Sequence, residues 1–204
     1  MTTSSPSPKP HPLYLASASK ARADLLLAAG YRFGVVVTDV EDSAAPQADP
    51  LIYALERSQL KAVHGAAHID RGIVIGADTV AHCSAGIIGK PGSEDDAVRT
   101  LRVLSSEPHR VITGLTLFVK PEGIIVSSAA VTGVLMRPMS DDDILAYVRS
   151  GEAMGKAGSY AVQETGDRYV EKLTGSYSNV VGLPMELLVE MLEFLANKGI
   201  LPER

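Results

Sequence analysis

The sequence predicts a mixed α/β domain, and three features along the chain carry that reading. Two β-α units stand first: "LYLASASKARADLLLAAG", then "YRFGVVV" and the helix that Asp49 and Pro50 open. In the middle, two β-rich runs, "HRVITGLTLFV" and "GIIVSSAAVTGVLM", flank "KPEG", whose Pro and Gly signal a turn. More helices follow, so the order is less regular than a doubly wound sheet.

Taken in order, residues 13–16 read as a strand and 20–29 as a helix that Gly30 stops in the left-handed conformation. "YRFGVVV" is a second strand. Asp49 as N-cap and Pro50 as first helical residue open a helix to about residue 64. "GIVIGADTV" is an unbroken apolar run ending in an acid, as a buried strand whose end faces a cleft would be. Ser93 and Asp96 resemble a capping box for a helix to about residue 104, with Glu94 and Asp95 in its first turn. The two β-rich runs predict an antiparallel hairpin. Ser140 caps a short helix containing "DDILAYVRS", "GSYSNVVGLP" reads as a turn followed by a buried strand, and Pro184 starts a final helix stopped near Gly199.

The chain has 204 residues, 46% hydrophobic and 21% charged, which is enough for one domain or two closely joined lobes. Residues 1–12, rich in Pro, Ser and Thr and without the basic-then-apolar order of a signal peptide, read as a disordered tail, with a single domain over 13–204. A net charge of −5 opposes nucleic-acid or anionic-membrane partners, which require clustered Lys and Arg. A lone cysteine, Cys83, excludes an internal disulfide and reads as a small apolar filler; the cytoplasm is the expected location. No run is long and apolar enough for a membrane helix.

Chemistry has a few candidate sites. Ser17, Ser19, Lys20 and Arg22 sit where a strand becomes a helix, an end whose free N–H groups and dipole suit an anion; the same residues also suit an ordinary N-cap on a solvated helix. Asp78 in "GADTV" can hold a divalent cation or orient water, or merely cap a turn. Lys90 in "GKPGS" can reach a phosphate at the next helix start, and Asp39, Glu41 and Asp42 form an acidic loop able to hold Mg2+ or Mn2+ beside Asp78. Lys156, Tyr160 and Gln163 combine a cation with groups that hydrogen-bond a base or sugar edge. His11, His64, His68, His82 and His109 lack metal-ligand spacing and read as structural or solvated. With no GxSxG, Walker or Rossmann signature, cations and carboxylates remain, the groups of metal-assisted phosphate hydrolysis.

In order, "LASASKAR", "TDVE", "IVIGADTV", "GKP", "VITG", "YVRSGEAMGKAGSYAVQ" and "GSYSNVVGLP" closely resemble the Maf family of nucleoside triphosphate pyrophosphatases, over about residues 13–196. The resemblance implies a two-lobed, elongated α/β fold like that of inosine triphosphate pyrophosphatase, with a central cleft and often a homodimer. It implies an enzyme that uses Mg2+ or Mn2+ to split a nucleoside triphosphate into monophosphate and pyrophosphate. Asp78 matches the general base and Glu41 a metal-associated acid, both then metal ligands. Ser17, Ser19, Arg22 and Lys90 match positions along the triphosphate. Thr79 and Gln163 look like the dTTP/UTP branch. Against the family pattern, Lys20 and Ala21 replace a proline and an arginine, Gln59 rather than Lys61 aligns with a helix lysine, and Gly155 replaces an acid. The alternatives are a nucleotide-binding regulator of septum formation and a phosphatase that removes the terminal phosphate.

Overall fold

The computed structural model describes residues 9–38, 40, 49–163 and 165–203. Short β1 (Leu13–Leu15) leads into α1 (Lys20–Ala28), and β2 (Phe33–Val35) into α2 (Pro50–Ala67). Long β3 (Gly72–Cys83), short β4 (Gly86–Ile88), α3 (Glu94–Leu104) and the hairpin of β5 (His109–Lys120) and β6 (Ile124–Met136) follow. The chain ends with α4 (Asp141–Arg149), β7 (Val170–Thr174), α5 (Tyr177–Val181) and α6 (Met185–Ala196). The strands form one mixed seven-stranded sheet in the order β2-β1-β3-β5-β6-β7, with β4 also on β3. The mixed α/β class read from the sequence is the one found.

Local capping fixes most helix starts. Ser19, Asp49, Ser93 and Ser140 each accept a backbone N–H of the first turn through the side chain. Ser140 and Asp143 complete a reciprocal capping box, whereas the Asp96 carboxylate reaches Gly92 N instead of its own cap residue.

Side chains alternate across the long strands, so β3 and β5 each serve both faces. On one face lie two separate apolar cores. Ile73, Ile75, Ala77, Leu115 and Leu117 pack with α1 and α6, while Ala81, Cys83 and Val111 pack with α3 and α4. These are the two lobes, and continuous strands join them. The opposite face carries α2, whose Ala54, Ser58, Ala62 and Ala66 recur every four residues as a stripe of small side chains. Gly114 and Gly76 lie beneath it. A Cβ on Gly114 would stand 2.1 Å from Ala54 O, and one on Gly76 2.2 Å from Ser58 O, so helix and sheet meet backbone to backbone.

Three expectations change. The apolar strand does not end at Asp78 but runs on to Cys83, because its residues stay paired with β5 through His82↔Arg110. "GSYSNVVGLP" is not a turn and strand but the one-and-a-half-turn helix α5: Ser176 caps it through Asn179 N, and Gly182 ends it at φ 122°. The segment read as a tail over 1–12 is bonded to the domain across its described residues. Arg71 donates to the carbonyls of Lys9 and Pro10, His11 N donates to Leu201 O, and Ile73 N to Pro12 O.

Candidate functional site

The site arises where the sheet is left uncovered. β1 pairs with β3 only through Leu15↔Ile75, and β4 joins the same edge only from Ala81. Between them the β3 edge at 76–80 pairs with no strand among the described residues, and Asp78 on one face and Thr79 on the other both reach one cleft of about 770 Å3. That is the range of small-molecule sites, and the position, beyond the carboxyl end of parallel β1, is where open α/β sheets bind ligands.

The cleft collects what the sequence had scattered. Ser17, Ser19, Arg22, Asp78, Thr79, Lys90, Lys156 and Gln163 all line it. Glu41, with Asp39 and Asp42, lies outside the described residues. Lys61 lines it too, a residue the sequence reading had set aside in favour of Gln59. That expectation is corrected: Lys61 flanks the small-residue stripe of α2, and its Nζ donates to Asp78 Oδ1 at 2.5 Å. No other described residue bonds that carboxylate. Lys20, Arg22, Lys61, Lys90 and Lys156 make five cations against the two described carboxylates Asp24 and Asp78, on a chain whose net charge is −5. The cleft is therefore locally suited to a polyanion. Lys20 contributes least, since its Nζ is paired with Asp24 Oδ2 at 2.6 Å and its side chain is 86% exposed.

Arg22 is held from several sides. Its Nη1 donates to Ser17 Oγ at 3.1 Å, its Nη2 to Thr79 Oγ1 at 3.0 Å and its Nε to Gly182 O at 2.7 Å. Ser19 caps α1 as an ordinary N-cap, and its own N–H donates to Ser17 Oγ. The capping and anion-site readings thus describe the same turn. Thr79 turns its hydroxyl to Arg22, Thr113 and Gly182, all within the protein.

The wall opposite is the segment before and after the short 3-10 turn Ala157–Ser159. Gly158 N donates to Gly89 O at 3.1 Å, which ties the Lys156 wall to the Lys90 loop. Behind it Tyr160 OH meets His109 Nε2 at 2.9 Å, in an edge-to-face ring pair. Burial pushes the Tyr160 hydroxyl above its ordinary value and His109 down to about 4, so His109 is a neutral acceptor or donor at pH 7.

Among the described residues no cluster of three or more His, Cys, Asp or Glu surrounds a metal-sized space. One carboxylate together with a ligand's phosphate oxygens fits Mg2+ or Mn2+, which are held by one or two carboxylates plus substrate and water. It does not fit an all-protein zinc or calcium cage.

Comparison with known proteins agrees with the motifs. A family described as "Maf-like protein" matches residues 12–195. A protein of Geobacter metallireducens named dTTP/UTP pyrophosphatase is 42% identical over 189 residues, 93% of this chain and 97% of the relative. Proteins of the same name from Thermococcus onnurineus and Escherichia coli O157:H7 are 43% and 38% identical, over 89% and 94% of this chain and 96% and 95% of their own lengths.

Proposed function

From the premise that the chain belongs to the Maf family, we propose that its cleft hydrolyses nucleoside triphosphates, dTTP and UTP first among them, to the monophosphate and pyrophosphate. The observation that carries the reading is the meeting of Asp78 with Arg22, Lys61, Lys90 and Lys156 in one cleft. A triphosphate tail lying along Ser17, Ser19 and the start of α1 would take hydrogen bonds from hydroxyls and helix N–H groups and charge neutralisation from the lysines. Asp78, oriented by Lys61, takes a proton from the attacking water. The water oxygen then bonds to the α-phosphorus as the bond to the bridging oxygen breaks, and pyrophosphate leaves. Gln163 supplies an amide donor and acceptor for the base edge.

Mg2+ or Mn2+ would be held by Asp78 and Glu41 and would polarise the phosphate oxygens. The proposal extends to a cytoplasmic homodimer without nucleic-acid partners. For the dimer and the location it rests on the family resemblance, and sedimentation of the purified protein tests the assembly.

The deciding experiment incubates the protein with Mg2+ or Mn2+ and a panel of nucleotides, and measures pyrophosphate and inorganic phosphate separately. Pyrophosphate from dTTP and UTP supports the reading. Phosphate alone indicates the terminal phosphatase, and binding without either product indicates the regulator of septum formation.

A further inference from the structure

Two of the family-like motifs, "VITG" and "GSYSN", have no part in the chemistry above, yet both enter the buried ground between the two apolar cores. Thr113 of the first lies on β5 directly opposite Thr79 of β3, and Asn179 of the second lies on α5. Thr113 and Asn179 are wholly buried. We infer that Thr113 and Asn179 are positioning residues for the reaction, acting through Thr79 and Gly182 to fix the Arg22 guanidinium in the cleft. The inference rests on the proposed triphosphate reading of that cleft.

Arg22 can only donate, and its Nη2 donates to Thr79 Oγ1 at 3.0 Å. At the other end the Asn179 backbone carbonyl can only accept, and Thr113 Oγ1 donates to it at 3.2 Å. Each hydroxyl has a single proton. With the Thr113 proton on the Asn179 carbonyl, the Thr79 proton goes to Thr113 Oγ1 at 2.9 Å in preference to the more distant Gly182 O at 3.4 Å. One polarity results: Arg22 to Thr79 to Thr113 to Asn179. Such a chain strengthens each bond by polarising the next, and in a buried setting its loss is costly.

A second arm reaches the same guanidinium. The Asn179 amide donates to Val111 O and to Thr132 Oγ1, both at 3.0 Å, and Thr132 in turn donates to Ser176 O at 3.0 Å. These bonds clamp α5 onto β5 and β6. At the end of α5, Gly182 turns its carbonyl to Arg22 Nε at 2.7 Å. Gly182 has φ 122°, and a Cβ there would sit 3.5 Å from Arg22 Nε. The carbonyl can take this orientation because the residue is glycine. Two strands and a helix more than 50 residues away in sequence thus help to hold Arg22, beside its local bond to Ser17 Oγ.

The test is a double-mutant cycle. Thr113→Val keeps the shape and removes the relay, and with dTTP or UTP it should raise KM about tenfold while changing kcat less, the loss expected for one buried hydrogen bond between neutral groups. Thr113→Ser should restore KM to within about threefold, because the hydroxyl returns. In an Arg22→Ala background Thr113→Val should add less than about twofold, since residues that act through one another are non-additive. Equal effects in both backgrounds, or an unchanged KM in the single variant, overturn the inference. Exchange of the Arg22 Nε proton, followed by NMR in the wild-type protein, decides the matter even if the valine variant fails to fold: slow exchange is expected, and solvent-like exchange overturns the inference. Affinity for inorganic tripolyphosphate, read by calorimetry in the same variants, separates it from the functional proposal. A tenfold loss there with no nucleotide turnover in the wild type leaves the positioning role standing and removes the reaction.

Discussion

Lys61 Nζ lies 2.5 Å from Asp78 Oδ1, with only 14% and 11% of the two side chains exposed. An ion pair so enclosed gains little over two apolar residues, but breaking it strands a charge. Lys61→Met should therefore cost about 3 kcal/mol of stability, and the double variant with Asp78→Asn should cost less than Lys61→Met alone. Urea unfolding measures both, and strictly additive losses would show that the two groups are not coupled. Asp78→Asn alone should lower pyrophosphate release by about 10^3, the scale of a lost general base.

Gly114 and Gly76 set the depth at which α2 rests, and that depth delivers Lys61 to Asp78. With a Cβ at Gly114 2.1 Å from Ala54 O, Gly114→Ala must lift the helix, at a cost of about 1–3 kcal/mol. Turnover should fall further than stability alone accounts for, because Lys61 moves with the helix. Gly133→Ala on β6, where the nearest atoms lie 3.8 Å away, is the control and should leave both quantities close to wild type.

What the sequence disclosed and what it hid divide along a physical line. Helix starts at Ser19, Asp49, Ser93 and Ser140 were readable because a cap is made by residues within four positions of one another. The hairpin of β5 and β6 was readable for the same reason. Asp78 was singled out as the acid ending a strand, yet it stands mid-strand. It meets the cleft because β1 stops at Leu15 and β4 starts late, a fact of strand pairing that no local pattern records. Lys61 was passed over for Gln59, although its place beside the stripe Ala54, Ser58, Ala62 and Ala66 marks it as lying on the flank of the sheet-facing side. The stripe was the available signal. The one-and-a-half-turn α5 was hidden because five residues are too few for a helical period, and Asn179 holds its helix in place through bonds to β5 and β6.

Lys90 is an exposed residue on a loop whose Gly89 O accepts from Gly158 N of the opposite wall. Lys90→Ala should leave stability within about 0.5 kcal/mol, as for other surface changes. If the ammonium meets a polyphosphate, KM for the triphosphate should rise, and the dependence of KM on salt should become shallower by one charge. Steady-state kinetics at two ionic strengths checks this. An unchanged salt dependence would remove Lys90 from the phosphate path.

His109 gives the fold an acid-side weakness. Burial lowers it from 6.5 to about 4, so between those values the unfolded chain binds a proton that the folded chain does not. Its contribution is fully present above pH 6.5 and is lost as pH falls toward 4, by about 3 kcal/mol in all. His109→Asn should be less stable than wild type at pH 7, because it gives up the bond to Tyr160, yet its stability should fall less on going to pH 4.5. Glu122 and Glu186, whose carboxyls also sit below their ordinary values, weaken both proteins alike and cancel in the comparison. Parallel urea-unfolding curves against pH for the two proteins would mean that His109 is not held neutral by the fold; converging curves toward acid are the expected result.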